Sequence, residues 1–388
     1  MNDQPTYSLR QLVFYFLKLG TTGFGGPVAL VGYMHKDLVE NRKWISEEEY
    51  KQGLALAQLA PGPLAAQLGI YLGFVHYRII GATLAGLAFI IPSFIMVVLL
   101  GMAYKLYGGL AWMQAVFYGV GAAVIGIIAN SSYKLTTKSI GKFNAASFKK
   151  NWLLWLFFIT AAAITVLTQQ EQVLLFVAAG LIYMFVKAPP KWFTNKIANS
   201  FVLLQIGFWN FEPGILGKIG LFFAKAGTFV FGSGLAIVPF LHAGVVTENH
   251  WLTEQQFLDA VAVAMITPGP VVITVGFIGY LVAGFPGACV AAVATFLPCY
   301  LLTVIPAPYF KKIAANHSIK AFVDGITAAV VGALVGAVIV IATRSIIDVN
   351  TALIAIVTVF ALLYIKKIKE PYIIAIGAII GIMIKLIL

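Results

Sequence analysis

Phe16-Leu17-Lys18-Leu19-Gly20-Thr21-Thr22-Gly23-Phe24-Gly25-Gly26-Pro27 returns 207 positions later as Phe223-Ala224-Lys225-Ala226-Gly227-Thr228-Phe229-Val230-Phe231-Gly232-Ser233-Gly234. Across residues 16–69, 18 of 54 positions are identical at that offset, including His35/His242, Trp44/Trp251, Glu47/Glu254 and the turns Pro61-Gly62-Pro63/Pro268-Gly269-Pro270. After a one-residue gap the match resumes through Gly81/Gly287, Pro92/Pro298, Gly119/Gly325 and Gly126/Gly332. The chain is therefore a duplication, and what it repeats best are glycine and proline breaks inside apolar, membrane-length runs. That pattern belongs to transporters with interrupted helices.

Composition points the same way. A chain 61% apolar and 10% charged cannot clothe a normal soluble surface. Its apolar runs reach the roughly 20 residues that a bilayer demands, so the expected fold is an all-α polytopic membrane protein with the lipid bilayer as its solvent. No polar stretch is long enough for a nucleotide-binding domain and no phosphate-binding loop motif is present, which leaves gradients as the energy source. The net charge of +12 does not imply nucleic acid, because the lysines sit in short loops and not on a basic platform. Cys289 and Cys299 lie in apolar sequence without ligand spacing and read as core residues. Nothing calls for a metal or cofactor, and no nucleophile–base constellation suggests an enzyme. Residues 1–10 lack the pattern of a cleaved leader and read as a short tail.

Apolar segments are expected near 11–33, 52–76, 79–104, 110–133, 152–169 and 172–187, then near 218–242, 256–283, 285–310, 320–343, 350–366 and 371–388. They divide the chain into a first repeat at 1–196, a connection at 197–217 and a second repeat at 218–388. Loop charge sets the orientation. Lys134, Lys138, Lys142, Lys149 and Lys150 follow the fourth segment of the first repeat, whereas in the second repeat the lysines follow the third and fifth: Lys311, Lys312, Lys320, then Lys366, Lys367, Lys369. Because lysine and arginine favour the cytoplasmic side, equivalent loops fall on opposite faces, and the repeats are expected to be inverted. Lys187, Lys191 and Lys196 also read as cytoplasmic, so residues 200–217 are the candidate for an extra crossing.

Helices broken within a bilayer aim free N–H groups and the positive end of a dipole into the break, which suits an anion. Pro27 fits the first turn of a resumed helix, where its missing N–H costs nothing. The four breaks give the candidate binding set: Thr21, Gly25, Gly26, Pro27, Pro61, Gly62, Pro63, Thr228, Gly232, Ser233, Gly234, Pro268, Gly269 and Pro270. Lys18 and Lys225 precede the two glycine breaks. A buried lysine costs about 3 kcal/mol or more in a membrane, so each is a candidate anion contact unless its stem carries the ammonium to the interface. Gln67, Thr267 and Thr274 add neutral donors. Glu47 and Glu254 follow an interfacial tryptophan in what reads as a helix-capping box. His35, His242 and Asp324 are the candidates for proton coupling, with Asp324 the least symmetric acid expected to be buried.

The set Phe24-Gly25-Gly26-Pro27, Arg42-Lys43-Trp44-Ile45-Ser46 and Ala57-Gln58-Leu59-Ala60-Pro61-Gly62-Pro63 resembles the first domain of the chromate ion transporter family. Phe231-Gly232-Ser233-Gly234, Trp251-Leu252-Thr253 and Thr267-Pro268-Gly269-Pro270 resemble its second, so the likeness covers nearly the whole chain, as in the long two-domain form. The resemblance implies export of chromate across the plasma membrane, with sulfate as a competing analogue. A sulfate or related oxyanion importer and an anion channel stay open as alternatives, as does a homo-oligomer.

Overall fold

The computed structural model of the chain describes residues 6–24, 26–108, 110–169, 173–190, 214–228, 234–310, 316–365 and 370–387. Among these residues every regular element is helical. Four helices are long and apolar enough to cross a bilayer: Leu64–Tyr107, Ala111–Ser139, Val271–Tyr309 and His317–Ser345. This is an all-α membrane protein. Helices are what a bilayer permits, since every backbone polar group must be paired within the protein.

In chain order α1 spans Leu9–Thr22, α2 Gly26–Met34, α3 Glu47–Leu59, α4 Leu64–Tyr107, α5 Ala111–Ser139, α6 Ala145–Lys150, α7 Trp152–Thr168 and α8 Val173–Lys187. The series recurs as α9 Ile215–Thr228, α10 Val238–His242, α11 Glu254–Ile266, α12 Thr274–Val304, α13 His317–Ser345, α14 Val349–Tyr364 and α15 Glu370–Ile382. The expected capping boxes are present: Ser46 pairs reciprocally with Glu49 at the start of α3, and Thr253 with Gln256 at the start of α11. Most of the proposed extra crossing, residues 200–213, lies outside the described residues, as do Gly25, Gly232, Ser233, Lys191, Lys196, Lys311, Lys312, Lys366, Lys367 and Lys369.

The segments expected at 11–33 and 52–76 do not run straight from one end of the molecule to the other. Each folds at its break into a hairpin that returns to the face it came from. Tyr7 stacks on Trp44 at 4.8 Å, and its hydroxyl meets His76 Nδ1 at 2.8 Å. His76 Nε2 in turn lies 3.4 Å from Glu49 Oε1. The start of α1, the end of the π-turn after α2, the start of α3 and the corner of α4 thus share one end of the molecule, the amino-terminal face. Glycine and proline cause the reversal, because they remove the backbone bonds that would carry a helix straight on.

Helix α4 contains a corner at Arg78, whose φ of 53° leaves helical space. Its two limbs pack so closely that a Cβ on Gly73 would lie 2.3 Å from the Gly81 carbonyl oxygen. In α12 the corner falls at Ala283 and Gly284, with Gly279 and Gly287 in the same embrace. The long limbs of α4 and α12 then pack on each other at the centre of the fold.

The halves also exchange helices. Helix α5 packs on α14 and α15, and α13 packs on α7 and α8. Small residues permit the approach: Gly119 and Gly126 meet the backbone at Gly377 and Ala355, while Gly325 and Gly332 meet it at Ala179 and Phe158. At the end of α4 remote from its corner, here the far face, Tyr104 donates to Asp259 of α11 at 2.6 Å. Helices α3 and α11 therefore start at opposite ends of α4. Asp348, which caps α14, accepts the Tyr118 hydroxyl at 2.6 Å, and that bond holds its carboxyl below the usual carboxylate range.

Candidate functional site

Three of the four helix breaks expected from the sequence fall on described residues and exist; the fourth, between Thr228 and Gly234, spans residues 229–233 outside them. Helix α1 ends at Thr22, with the Gly23 N–H donating back to the Leu19 carbonyl at 2.7 Å, and α2 resumes at Gly26. Helix α9 ends at Thr228, and a short 3-10 turn begins at Gly234. Helices α3 and α11 stop before the two Pro-Gly-Pro turns, whose glycines take φ of 144° at Gly62 and 94° at Gly269. Only glycine adopts such angles without strain, so a Gly between two prolines is what lets each hairpin reverse.

These breaks meet across the repeats. The Gly269 N–H of the second Pro-Gly-Pro turn donates to the Gly23 carbonyl of the first glycine break at 3.0 Å. Ser93, midway along the long limb of α4, packs on both: its Oγ lies 3.4 Å from the Gly20 carbonyl oxygen and 2.0 Å from where a Gly269 Cβ would be. Cys299 holds the equivalent position on α12, with Sγ 3.5 Å from the Gly227 carbonyl oxygen and Cβ 3.1 Å from where a Gly62 Cβ would be. Each long limb thus threads between the glycine break of its own repeat and the Pro-Gly-Pro turn of the other. Ser93 and Cys299 are missing from the sequence-derived site set. The signal was available, since both immediately follow the matched prolines Pro92 and Pro298, but a serine and a thiol in apolar sequence look like core.

Polar groups at the crossing are few. Gln67 is fully buried, and its Nε2 donates to the Pro61 carbonyl at 2.7 Å. Its Oε1 meets no partner, leaving an acceptor open at the first Pro-Gly-Pro turn. Thr267 and Thr274 are buried with their hydroxyls bonded to Ala264 and Val271 carbonyls. Thr21 and Thr228 likewise donate to the preceding helical turn, at Leu17 and Ala224.

Lys18 and Lys225 are both exposed, on equivalent faces of α1 and α9. Lys225 Nζ lies 6.0 Å from the Phe240 ring centre, and neither lysine forms an ion pair with a described residue. His35 and His242 stand away from the crossing, where each hairpin approaches its membrane face. Their Nε2 atoms meet Glu47 at 2.9 Å and Glu254 at 2.6 Å, which ties the first hairpin of each repeat to the second. Asp324 is exposed on α13, one turn beyond Lys320, and not in the interior as expected. Among the described residues the buried acid is Asp259, 1% exposed and held by the Tyr104 hydroxyl and by Gln255 Nε2 at 2.8 Å. Its counterpart in the first repeat is the neutral Gln52, so symmetry could not reveal it.

The chromate transporter family model matches residues 10–184 and 217–382. The chromate transport protein of Cupriavidus metallidurans is 64% identical over 386 residues, covering 98% of this chain and 94% of its own. The probable chromate transport protein of Synechococcus elongatus is 60% identical over 389 residues, covering 98% and 97%. The chromate transport protein of Pseudomonas aeruginosa is 30% identical over 348 residues, covering 86% and 80%. No solved structure matches the chain.

Proposed function

Because the chain belongs to the chromate transporter family, we propose that it expels chromate across the plasma membrane as a secondary transporter working by alternating access between two inverted repeats. One observation carries this reading. Broken helices from both repeats converge on the middle of α4, where the Gly269 N–H reaches Gly23. A tetrahedral dianion suits such a place through the N–H groups at the helix N-termini, and at the first glycine break it would compete with the Glu370 carboxylate, which lies 3.7 Å from where a Gly26 Cβ would be.

Energetics favour export. Moving a dianion outward across an inside-negative potential of 100 mV is favourable by about 4 to 5 kcal/mol, so no coupling ion is required. The proposed orientation, with the amino-terminal face cytoplasmic, is supported by the cations there, which include Arg42, Lys43, Arg78, Lys134, Lys138 and Lys187. Against them the far face has, among the described residues, Lys105, Lys218, Arg344 and Lys385. Tags at residues 142 and 315 should both be reached from the cytoplasm; finding them on opposite faces would overturn the inversion.

The deciding assay is uptake of labelled chromate into inverted and right-side-out vesicles with potential and pH gradient set separately. Export predicts accumulation in inverted vesicles, driven by an interior-positive potential and competed by sulfate. Accumulation in right-side-out vesicles that needs a proton gradient would instead make the protein an importer. Flux far above transporter turnover, without countertransport, would make it a channel.

A further inference from the structure

The two repeats share a plan but hold it in different states. Helix α11 is buried from Phe257 to Met265 and packs on α5, α12, α13 and α15. Its counterpart α3 packs on α4 and on the π-turn before it, and α13 makes no contact with it comparable to that of α5 with α11. One pair of equivalent positions displays the difference. At the far face Tyr104 and Asp259 are bonded at 2.6 Å. At the amino-terminal face their counterparts Phe310 and Gln52 stand on the walls of an open cavity of about 440 Å³, together with Glu48, Glu49, Tyr71 and Arg78, whereas the far-face hollow of about 500 Å³, bounded by Trp251, Thr253, Gln256 and Arg344, is lined by neither Tyr104 nor Asp259. The histidines agree, the His35 side chain being 30% exposed and that of His242 3%.

What α3 leaves uncovered is polar. Glu48, Lys51, Gln52 and Gln58 follow one another at helical spacing from the amino-terminal face toward the Pro-Gly-Pro turn. Such a stripe belongs against water and not against lipid. The matching positions on α11 are Gln255, Leu258, Asp259 and Met265, and Leu258 seals the far side by lying over Gly121 of α5.

We propose that this structure is the state open to the amino-terminal face, and that transport closes that face by docking α3 on α13 as α11 is docked on α5, while Asp259 leaves Tyr104. The proposal rests on the transporter reading above and names its moving part. Applying the repeat offset to the contact of Leu258 with Gly121 places Lys51 over Thr327 of α13. Asp324 lies one turn before Thr327, so on closure the Lys51 ammonium exchanges its exposed Glu47 partner, 3.2 Å away, for the Asp324 carboxylate. The sequence also accounts for which state is at rest. Closing the far side buries Leu258, Ala262 and Met265, whereas closing the near side buries Lys51, Ala55 and Gln58, which must give up water.

Cysteine pairs test this in a background carrying Cys289→Ala, with the fully buried Cys299 kept. Leu258 Cβ lies 3.9 Å from where a Gly121 Cβ would be, which suits a disulfide. Leu258→Cys/Gly121→Cys should cross-link readily in substrate-free protein and Lys51→Cys/Thr327→Cys poorly. Conditions that raise one yield several-fold should lower the other, and either cross-link should arrest chromate flux until reduced. Wild-type flux through the oxidised Leu258/Gly121 pair, or a Lys51/Thr327 pair that never forms during turnover, would overturn the proposal. Opposed yields without chromate flux would leave the motion standing and remove chromate as the substrate. Single cysteines decide the question if a pair fails to fold: a water-soluble maleimide should label Leu54→Cys from the amino-terminal face and leave Val261→Cys unmodified from the far face. Equal labelling would overturn it.

Discussion

Gly269→Ala is expected to abolish chromate flux and to destabilise the protein by about 2 kcal/mol or more. Two separate costs fall on this one methyl group. The backbone at Gly269 has φ 94°, where a non-glycine residue is strained by about 1 to 3 kcal/mol. The new Cβ would also lie 2.0 Å from Ser93 Oγ, so α4 or the turn must move and the bond from the Gly269 N–H to Gly23 is lost. Ser93→Ala/Gly269→Ala separates the costs: it removes the oxygen but leaves the backbone strain, so stability should recover only in part. Gly62→Ala should be milder, because its Cβ meets the end of the flexible Gln67 side chain at 2.6 Å and Cys299 Cβ at 3.1 Å. Unfolding midpoints in detergent and flux in proteoliposomes measure both effects. Parental flux in Gly269→Ala would show that the crossing of the repeats does not handle substrate.

The helical class, three of the four breaks and the two capping boxes were legible in the sequence because each follows from local rules. Apolar run length, the missing N–H of proline and the spacing of Ser46 from Glu49 act within a few residues of one another. The hairpins were not legible. A glycine break interrupts a helix, but whether the chain continues or turns back depends on contacts such as Tyr7 with Trp44 and His76, which lie 37 and 69 positions apart. The exchange of α5 and α13 between repeats was hidden for the same reason, since a glycine at 119 or 325 announces close packing without naming its neighbour. Repeat symmetry found the paired features and passed over the unpaired one. Asp324 drew notice as an acid opposite Tyr118, but its place near the start of α13 leaves it exposed. Asp259, opposite Gln52, carries the asymmetry into the interior.

That asymmetry bears on how the proposed cycle is biased. A transporter built from two equal repeats would hold its inward-open and outward-open states at equal energy. Here the far-face contact is mostly apolar and includes a bonded carboxylate, whereas the near-face contact brings Lys51 and Gln58 out of water. On the proposed cycle the protein rests open toward the amino-terminal face, which is the side where an exported anion enters. Arg78 lines that entrance beside Glu48 and Glu49, so the opening presents both signs of charge.

The other large effect is expected from the lysines. If Lys18 and Lys225 each present an ammonium to the oxyanion near a helix break, Lys→Met keeps the apolar stem and deletes a charge-assisted contact of roughly 1.5 to 3 kcal/mol. Chromate affinity should then fall about tenfold or more in each single variant. The structure sharpens this test, because neither ammonium is held by a described carboxylate, so its removal breaks no ion pair there and should leave the fold intact. Lys→Arg keeps the charge while enlarging the head and changing its donor geometry, so partial affinity should remain. If the stems only carry the ammonium to the interface, all the Met variants should insert normally and bind chromate as the parent does. The open amino-terminal face adds a distinction between the two sites. Lys18 belongs to the repeat whose second hairpin is undocked, so in substrate-free protein Lys18→Met should lose more affinity than Lys225→Met, and the double variant should lose more than either. Binding of labelled chromate to the three purified proteins decides between the roles, and parental affinity in all three would remove the lysines from the anion site.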